Sequence, residues 1–468
     1  MKNTKLLATL FIISCCSLCE LKAQLQLPSI FTDGMVLQQK SKVTVWGWGA
    51  PSEKIAVYGT WPQSDTIHTV VDHQGCWKVE METTQAGGPY EMNIKAPKES
   101  LKIKDVMLGE VWLCSGQSNM EWSVNNGIMN GETEAANATC PSLRIFHQPK
   151  QGADFPQTDS RTRWEISSPQ SMRKTSATAY FFARYLTEHL QVPVGIIVAA
   201  WGGTPAEVWT PAELIHNNSI LAANKIAPAP WWPNEPGVLY NQMIHPVIPY
   251  RIAGCIWYQG EANHENASSY GLLMTTMVNS WRERFGQDFP FYYVQIAPHT
   301  YQSKGNTPAL LREQQARMLD NVSNTGMINI SDLVENVKDI HPRNKRAIGE
   351  RLAYMAMDRH YGQFTQPYES PILKQAILGK KDITLSFRGN YNGLLSVTKE
   401  ITGLTISDGD GQMHPAKARI TGKNLKISVK GLKAPYQIYY CFDDATIGSL
   451  RTEAGLPVLP FRTAVINK

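Results

Sequence analysis

The sequence predicts a three-layer α/β/α domain carrying β-sandwich-type regions at both of its ends. Three observations predict it. Between about residues 106 and 365, fully apolar runs alternate with segments of helical periodicity. Short runs rich in β-branched and aromatic residues, separated by turn signals, fill residues 24–105 and return after 366. A chain of 468 residues also exceeds what a single compact core organises.

The N-terminus, MKNTKLLATLFIISCC, places two lysines before an apolar run of signal-peptide length. That run is too short to span a bilayer, and cleavage after Ala23 in ELKA|QLQ defines a predicted signal peptide at 1–23. The alternative is lipidation at Cys15, where Ile-Ile-Ser loosely resembles a lipobox, giving an outer-membrane lipoprotein. No later run approaches about 18 apolar residues, so the mature chain is expected to have no transmembrane segment and to be periplasmic or secreted. Cys16 and Cys19 fall inside the signal segment. Cys76, Cys114, Cys140, Cys255 and Cys441 are too sparse for a disulfide scaffold, and at most one or two bridges are expected.

Residues 24–105 (MVLQQ, VTVWGWG, KIAVYGTW, CWKVEME, YEMNIKA) predict an N-terminal β-sandwich-like domain without catalytic residues. Residues 106–365 alternate VWLC, ATAYFFARYLTEHL, VGIIVAAW, AGCIWY, YGLLMTTMVNSWRERF, FYYVQIAP, PALLREQQARMLD, GMINIS and RNKRAIGERLAYMAMDRHY. Such alternation means a parallel sheet covered on both faces, with its ligand crevice outside the carboxyl ends of the strands. Residues 366–468 predict a C-terminal β-rich region, either a sandwich of its own or one shared with the N-terminal strands. Within it Asp408-Gly-Asp410-Gly411 reads as a hairpin turn rather than a calcium loop, because further ligands are missing.

Composition narrows the function. The net charge of +5 is small and no run of five basic residues occurs, which argues against nucleic acid as a partner. Thirteen tryptophans and eighteen tyrosines suit the stacking of sugar faces, although most aromatic side chains serve packing.

Four stretches carry chemistry, each just past a predicted strand or before a helix. In Gly116-Gln-Ser118-Asn-Met a glycine allows a sharp turn, and Ser118 stands at its tip with helix N–H groups behind it. Met120 replaces the second glycine of a nucleophile elbow, and taken alone Ser118 reads equally well as an N-cap. In Trp201-Gly202-Gly203-Thr204 the glycines let a backbone N–H approach a ligand. In Tyr258-Gln259-Gly-Glu261-Ala-Asn263, Gln259 is a candidate oxyanion donor, and Glu261 could orient a partner or bind a hydroxyl. In Asp339-Ile-His341, the histidine can reach back to a serine from an earlier strand with Asp339 fixing its tautomer. Trp201 and Arg312 are candidate substrate contacts. A surface ion pair is the blander reading of the arginine.

Together GEVWLCSGQSNMEW, AAWGGTPAEVW, IWYQGEAN and DIHPRNK resemble the four blocks of the sialate O-acetylesterase family, exported bacterial carbohydrate esterases of the SGNH/GDSL hydrolase group. LPSIFTDGMVLQQ resembles that family's entry sequence. The resemblance implies a flavodoxin-like hydrolase fold with Ser118 as nucleophile, His341 as general base and Asp339 as orienting acid. It implies an oxyanion hole of the Ser118 N–H, a Gly202 or Gly203 N–H and Gln259, with Glu261, Asn263, Arg312 and Trp201 as supporting contacts. SGNH enzymes keep the acid three residues before the histidine, where this chain has Lys338. Asp332, Glu335 or Glu261 therefore compete with Asp339, as does a Ser-His dyad. The implied substrate is O-acetylated sialic acid. Acetylated xylan or another acetylated glycan is the alternative, and an inactive glycan-binding protein a further one. HExxH and Walker-type loops are absent, and no metal or cofactor is expected.

Overall fold

The computed structural model describes residues 24–226 and 228–467. The expected signal segment, with Cys15, Cys16 and Cys19, lies outside the described residues.

The N-terminal strands are β1 (Val36–Gln38), β2 (Lys42–Trp48), β3 (Lys54–Gly59), β4 (Ile67–Val70), β5 (Cys76–Glu82) and β6 (Gly87–Lys95). In β2 the alternation of the sequence puts Val43 and Val45 inward, and Val45 lies opposite Val79 of β5. β3 lies between β4 and β6 in a second sheet. The next strand, β7 (Ser100–Gly116), runs for 17 residues. Its first half pairs antiparallel with β6 and is partly exposed, as LKIKDVML alternates. From Leu108 onward every residue is buried, because the strand has entered a sheet covered on both faces. The boundary expected at 105/106 therefore falls inside one continuous strand.

The covered sheet adds β8 (Cys140–His147), β9 (Trp164–Ser167), β10 (Val194–Ala200), β11 (Gly254–Tyr258), β12 (Phe291–Val294) and β13 (Thr325–Ile328). Its order is β13-β12-β11-β7-β10-β8-β9, with all neighbours parallel except β8 and β9. The helices that bear on the site are α1 (Ser118–Glu121), α2 (Ala177–Leu190), α3 (Ala267–Phe285), α4 (Thr307–Asn321) and α5 (Lys345–Arg359). Side chains leave each strand to alternate faces: Ile256 joins Trp112 and Phe182 of α2 in one core, while Cys255 and Trp257 join Trp281 of α3 in the other. α2 and α5 touch closely at Gly349, where a Cβ would stand 2.5 Å from the Thr178 carbonyl oxygen. This is the expected three-layer α/β/α arrangement, flanked by β regions. The connection from β7 leads to β8 on one side of it, and the connection from β10 crosses back to β11 on the other, so a topological switch point lies at the end of β7.

Beyond residue 371 the chain forms five-stranded and four-stranded sheets around a separate core that includes Leu385, Ile406, Leu425 and Ile438. The Asp408–Gly411 segment is a turn: Asp408 Oδ1 accepts the N–H groups of Asp410 and Gln412, and Oδ2 lies 3.2 Å from His414 Nε2. The five described cysteines are all unpaired. No helix among the described residues is long and apolar enough to cross a membrane.

Candidate active site

The carboxyl ends of three adjacent strands meet at Gly116, which is in register with Ala200 of β10 and Tyr258 of β11. Gly116 has φ +140°, and a Cβ there would lie 2.2 Å from the Tyr258 carbonyl oxygen. Only glycine tolerates both conditions. The chain then turns through Gln117, and Ser118 begins the single turn of α1, with its N–H at the start of a helix and without an acceptor among the described residues.

His341 arrives on the loop after β13, and its Nε2 is 3.0 Å from Ser118 Oγ. Its ring stacks on Trp122, with centroids 4.2 Å apart and planes 19° from parallel. Burial, and next the nearby Lys345 ammonium, push the imidazole down to about 4, so it is neutral and able to accept a proton at neutral pH. Asp339 Oδ1 accepts the His341 backbone N–H at 2.9 Å, and the same oxygen stands 3.7 Å from Nδ1. Asp339 thus braces the loop more directly than it holds the ring. The competing carboxylates are engaged elsewhere or turned to solvent: Asp332 takes Arg351 at 2.7 and 2.9 Å, Glu261 takes Asn119 at 2.6 Å, and Glu335 is exposed.

A cleft of about 490 Å³ opens over this pair and is lined by Trp122, Trp201, Trp232, Gly202, Gly203 and Glu261 among others. Larger hollows, of about 900 Å³ on the C-terminal sheets and about 680 Å³ beside Trp46 and Trp48, contain no serine–histidine pair. Volume alone therefore does not mark the chemistry. Trp232 packs on Gly203, whose Cβ would lie 2.5 Å from the indole. The Gly202 N–H is already taken: it donates to Glu121 Oε2 at 2.5 Å, while Glu121 Oε1 receives Lys150 Nζ at 2.6 Å.

Three expected contacts stand apart from the cleft. Gln259 is fully buried, and its Nε2 donates to Asn263 Oδ1 (2.7 Å) and the Thr204 carbonyl (3.3 Å). It knits two strand ends together and is not aimed at an oxyanion. The amide that does line the cleft is Gln117, whose Oε1 accepts the Gly260 and Ala262 N–H groups. Asn263 is spent on the Ala206 N–H and Glu207. Arg312 is buried and donates to the backbone carbonyls of Cys441, Asp443 and Asp444, so it fastens the C-terminal region rather than a substrate.

Sequence reasoning missed Asn119, Glu121, Trp122, Lys150, Trp232 and Lys345. Three of these lie within SNMEW itself, where adjacency to Ser118 on a one-turn helix was an available signal. Among the described residues no group of three or more histidine, cysteine, aspartate or glutamate side chains could hold a metal ion.

A serine and a neutral histidine at a strand-end switch point, with backbone N–H groups beside them, make up the equipment of an ester hydrolase. Residues 108–358 match the family described as carbohydrate esterase, sialic acid-specific acetylesterase, and the chain belongs to that family. The sialate O-acetylesterases of Pongo abelii and Homo sapiens are each 30% identical over 380 residues, covering 74% of this chain and 72% of theirs. A carbohydrate acetylesterase from Xanthomonas citri has the same architecture, with TM-score 0.84 and 34% identity over 94% of this chain and 99% of its own. The protein is a carbohydrate esterase.

Proposed function

We propose that the protein removes O-acetyl groups from sialic acids through an acetyl-enzyme formed on Ser118. The observation that carries the reading is the 3.0 Å approach of His341 Nε2 to Ser118 Oγ at the switch point of the sheet. His341 takes the hydroxyl proton as Ser118 Oγ attacks the acetyl carbonyl carbon. The negative charge formed on the carbonyl oxygen is met by the Ser118 N–H and by the Gly202 N–H, once the substrate has displaced Glu121. The Gln117 amide, at the cleft wall, is the side-chain donor in the place first given to Gln259. His341 then returns the proton to the departing sugar oxygen, and water, deprotonated by the same imidazole, releases acetate. Asp339 holds the histidine loop.

The names of the curated relatives support sialic acid as the sugar. A second reading, an acetylated xylan or other glycan, is favoured by the pairing with Glu121 of Lys150, the one lysine lining the cleft among the described residues, which leaves three indoles to meet the sugar. In either case the N-terminal segment 1–23 directs export and is removed, which N-terminal sequencing of the mature protein checks.

The test measures acetate released from 9-O-acetylated sialic acid and from acetylated xylan by the wild type and by Ser118→Ala. Serine-dependent release from the sialic acid supports the first reading, and release from xylan alone selects the second. Turnover that survives Ser118→Ala would overturn the assignment of the nucleophile.

A further inference from the structure

Behind the nucleophile lies a buried lysine that the reaction scheme does not use. Lys345 is 1% exposed and is the first residue of α5. A cation at that place is opposed twice, by burial and by the positive end of the helix. It makes no direct ion pair among the described residues. Its Nζ donates instead to Asn119 Oδ1 at 2.6 Å and lies over the rings of Trp122 (5.6 Å) and Tyr258 (5.3 Å). Asn119 directly follows Ser118, and its Nδ2 donates to Glu261 Oε1 at 2.6 Å and to the carbonyl of Ile340, the residue before His341, at 3.0 Å. One amide therefore ties the serine turn to the histidine loop, and Lys345 fixes which way that amide points. The indole under the ammonium is the one on which His341 stacks.

We infer that Lys345 is a positioning residue, acting through Asn119 to hold Ser118 and His341 at reacting distance and through its charge to keep His341 unprotonated. The inference rests on the Ser118–His341 reading of the site. The charged groups facing the two side chains are few: Glu261 and Asp339 act on Lys345, and Lys345, Asp339 and His299 act on His341. Burial lowers Lys345 to about 7, so it still carries its charge in the acidic range where His341 titrates. Burial raises Glu261, which weakens the opposing charge over that same range.

The experiment is the pH dependence of kcat/KM for 4-nitrophenyl acetate with the full chain. Lys345→Met should lower kcat about tenfold or more, change KM less than about twofold, and move the acid limb upward by about one pH unit, since one unit corresponds to losing a modest charge interaction. Lys345→Arg should return the limb toward the wild-type position. Asn119→Ala should lower kcat while leaving the limb in place, because the charge remains; this variant tests the tie even where Lys345→Met does not fold. An unmoved limb in a folded Lys345→Met, or an unchanged kcat in Asn119→Ala, would overturn the inference. Neither result can be confused with failure of the site reading, which shows as activity in Ser118→Ala.

Discussion

His341 faces Ser118 with one nitrogen and, among the described residues, has no hydrogen-bond partner on the other, since Asp339 Oδ1 stands 3.7 Å from Nδ1 and accepts a backbone N–H at 2.9 Å. Asp339→Asn keeps an oxygen for that backbone bond and loses only the charge. Its kcat should fall within about tenfold, well short of the ~10⁴ that an orienting aspartate contributes in serine proteases; His341→Ala should reach that larger loss in the same assay. Glu121 presents the opposite case, a carboxylate seated on the N–H that the acetyl oxygen needs. A hydrogen bond to a charged group contributes about 1.5–3 kcal/mol, so Glu121→Ala should raise kcat/KM for a small acetyl ester about tenfold. A fall would instead make Glu121 a substrate contact. The low position of His341, near 4, sets the acid limb: a base must be unprotonated, so kcat/KM should hold down to about pH 5 and decline as the pH passes through 4. At this scale the meeting of Ser118 and His341 was legible only from the four stretches taken together, because a serine or glycine ending an apolar run reads equally well as a cap or a tight turn. Gln259 was misread because its neighbours in sequence do not reveal which way a buried amide turns, and Lys345 was invisible because a lysine opening a helix reads as solvated surface.

The elements follow the sequence where its periodicity is unambiguous. Fully apolar runs such as VGIIVAA became β10, buried along its whole length, and ATAYFFARYLTEHL became α2, Ala177–Leu190, starting behind Ser176, whose side chain accepts the Ala179 N–H. The length of β7 was not legible. Its alternating first half and apolar second half belong to two sheets, and pattern changes of that kind read as a boundary although the backbone continues straight through. The end of β7 is the most constrained position in the site. Gly116→Ala would place a methyl 2.2 Å from the Tyr258 carbonyl at φ +140°. Backbone strain of that kind costs about 1–3 kcal/mol before any displacement of β11, so a lowered thermal midpoint and strongly reduced activity are expected together. Gly152→Ala, with no positive φ and its nearest Cβ contact an ordinary 3.6 Å from Val238, controls for glycine substitution in general.

Across the whole molecule, the hydrolase layers are bound to β regions on both sides, and the two attachments differ in kind. The N-terminal strands share β7 and one continuous apolar core with α3 and α4. The C-terminal sheets have a core of their own, reach the neighbouring apolar core through Leu459 and Ile372, and otherwise meet α4 through polar contacts. Arg312 donates to the carbonyls of Cys441, Asp443 and Asp444, and Ser303 Oγ reaches Asp444 Oδ1 at 2.7 Å. Glu313 takes Arg462 at 3.1 Å nearer the surface. The sequence left open whether the C-terminal strands form a separate sandwich, since strand patterns identify faces and not the partner a face meets. A polar attachment around one buried guanidinium makes a sharp prediction. Arg312→Met retains most of the side chain's bulk but leaves those carbonyls without their donor, at a cost of about 2–4 kcal/mol. With the chain melting as one unit the thermal midpoint should drop by roughly 2–4 °C, and limited proteolysis should cut first within residues 366–468 while the 24–365 fragment persists. Arg462→Met, which removes a partly exposed pair with Glu313 and a cation–π contact with Phe442, should change the midpoint less. Equal losses in the two variants would mean that the C-terminal sheets are held by their apolar contacts and not by Arg312.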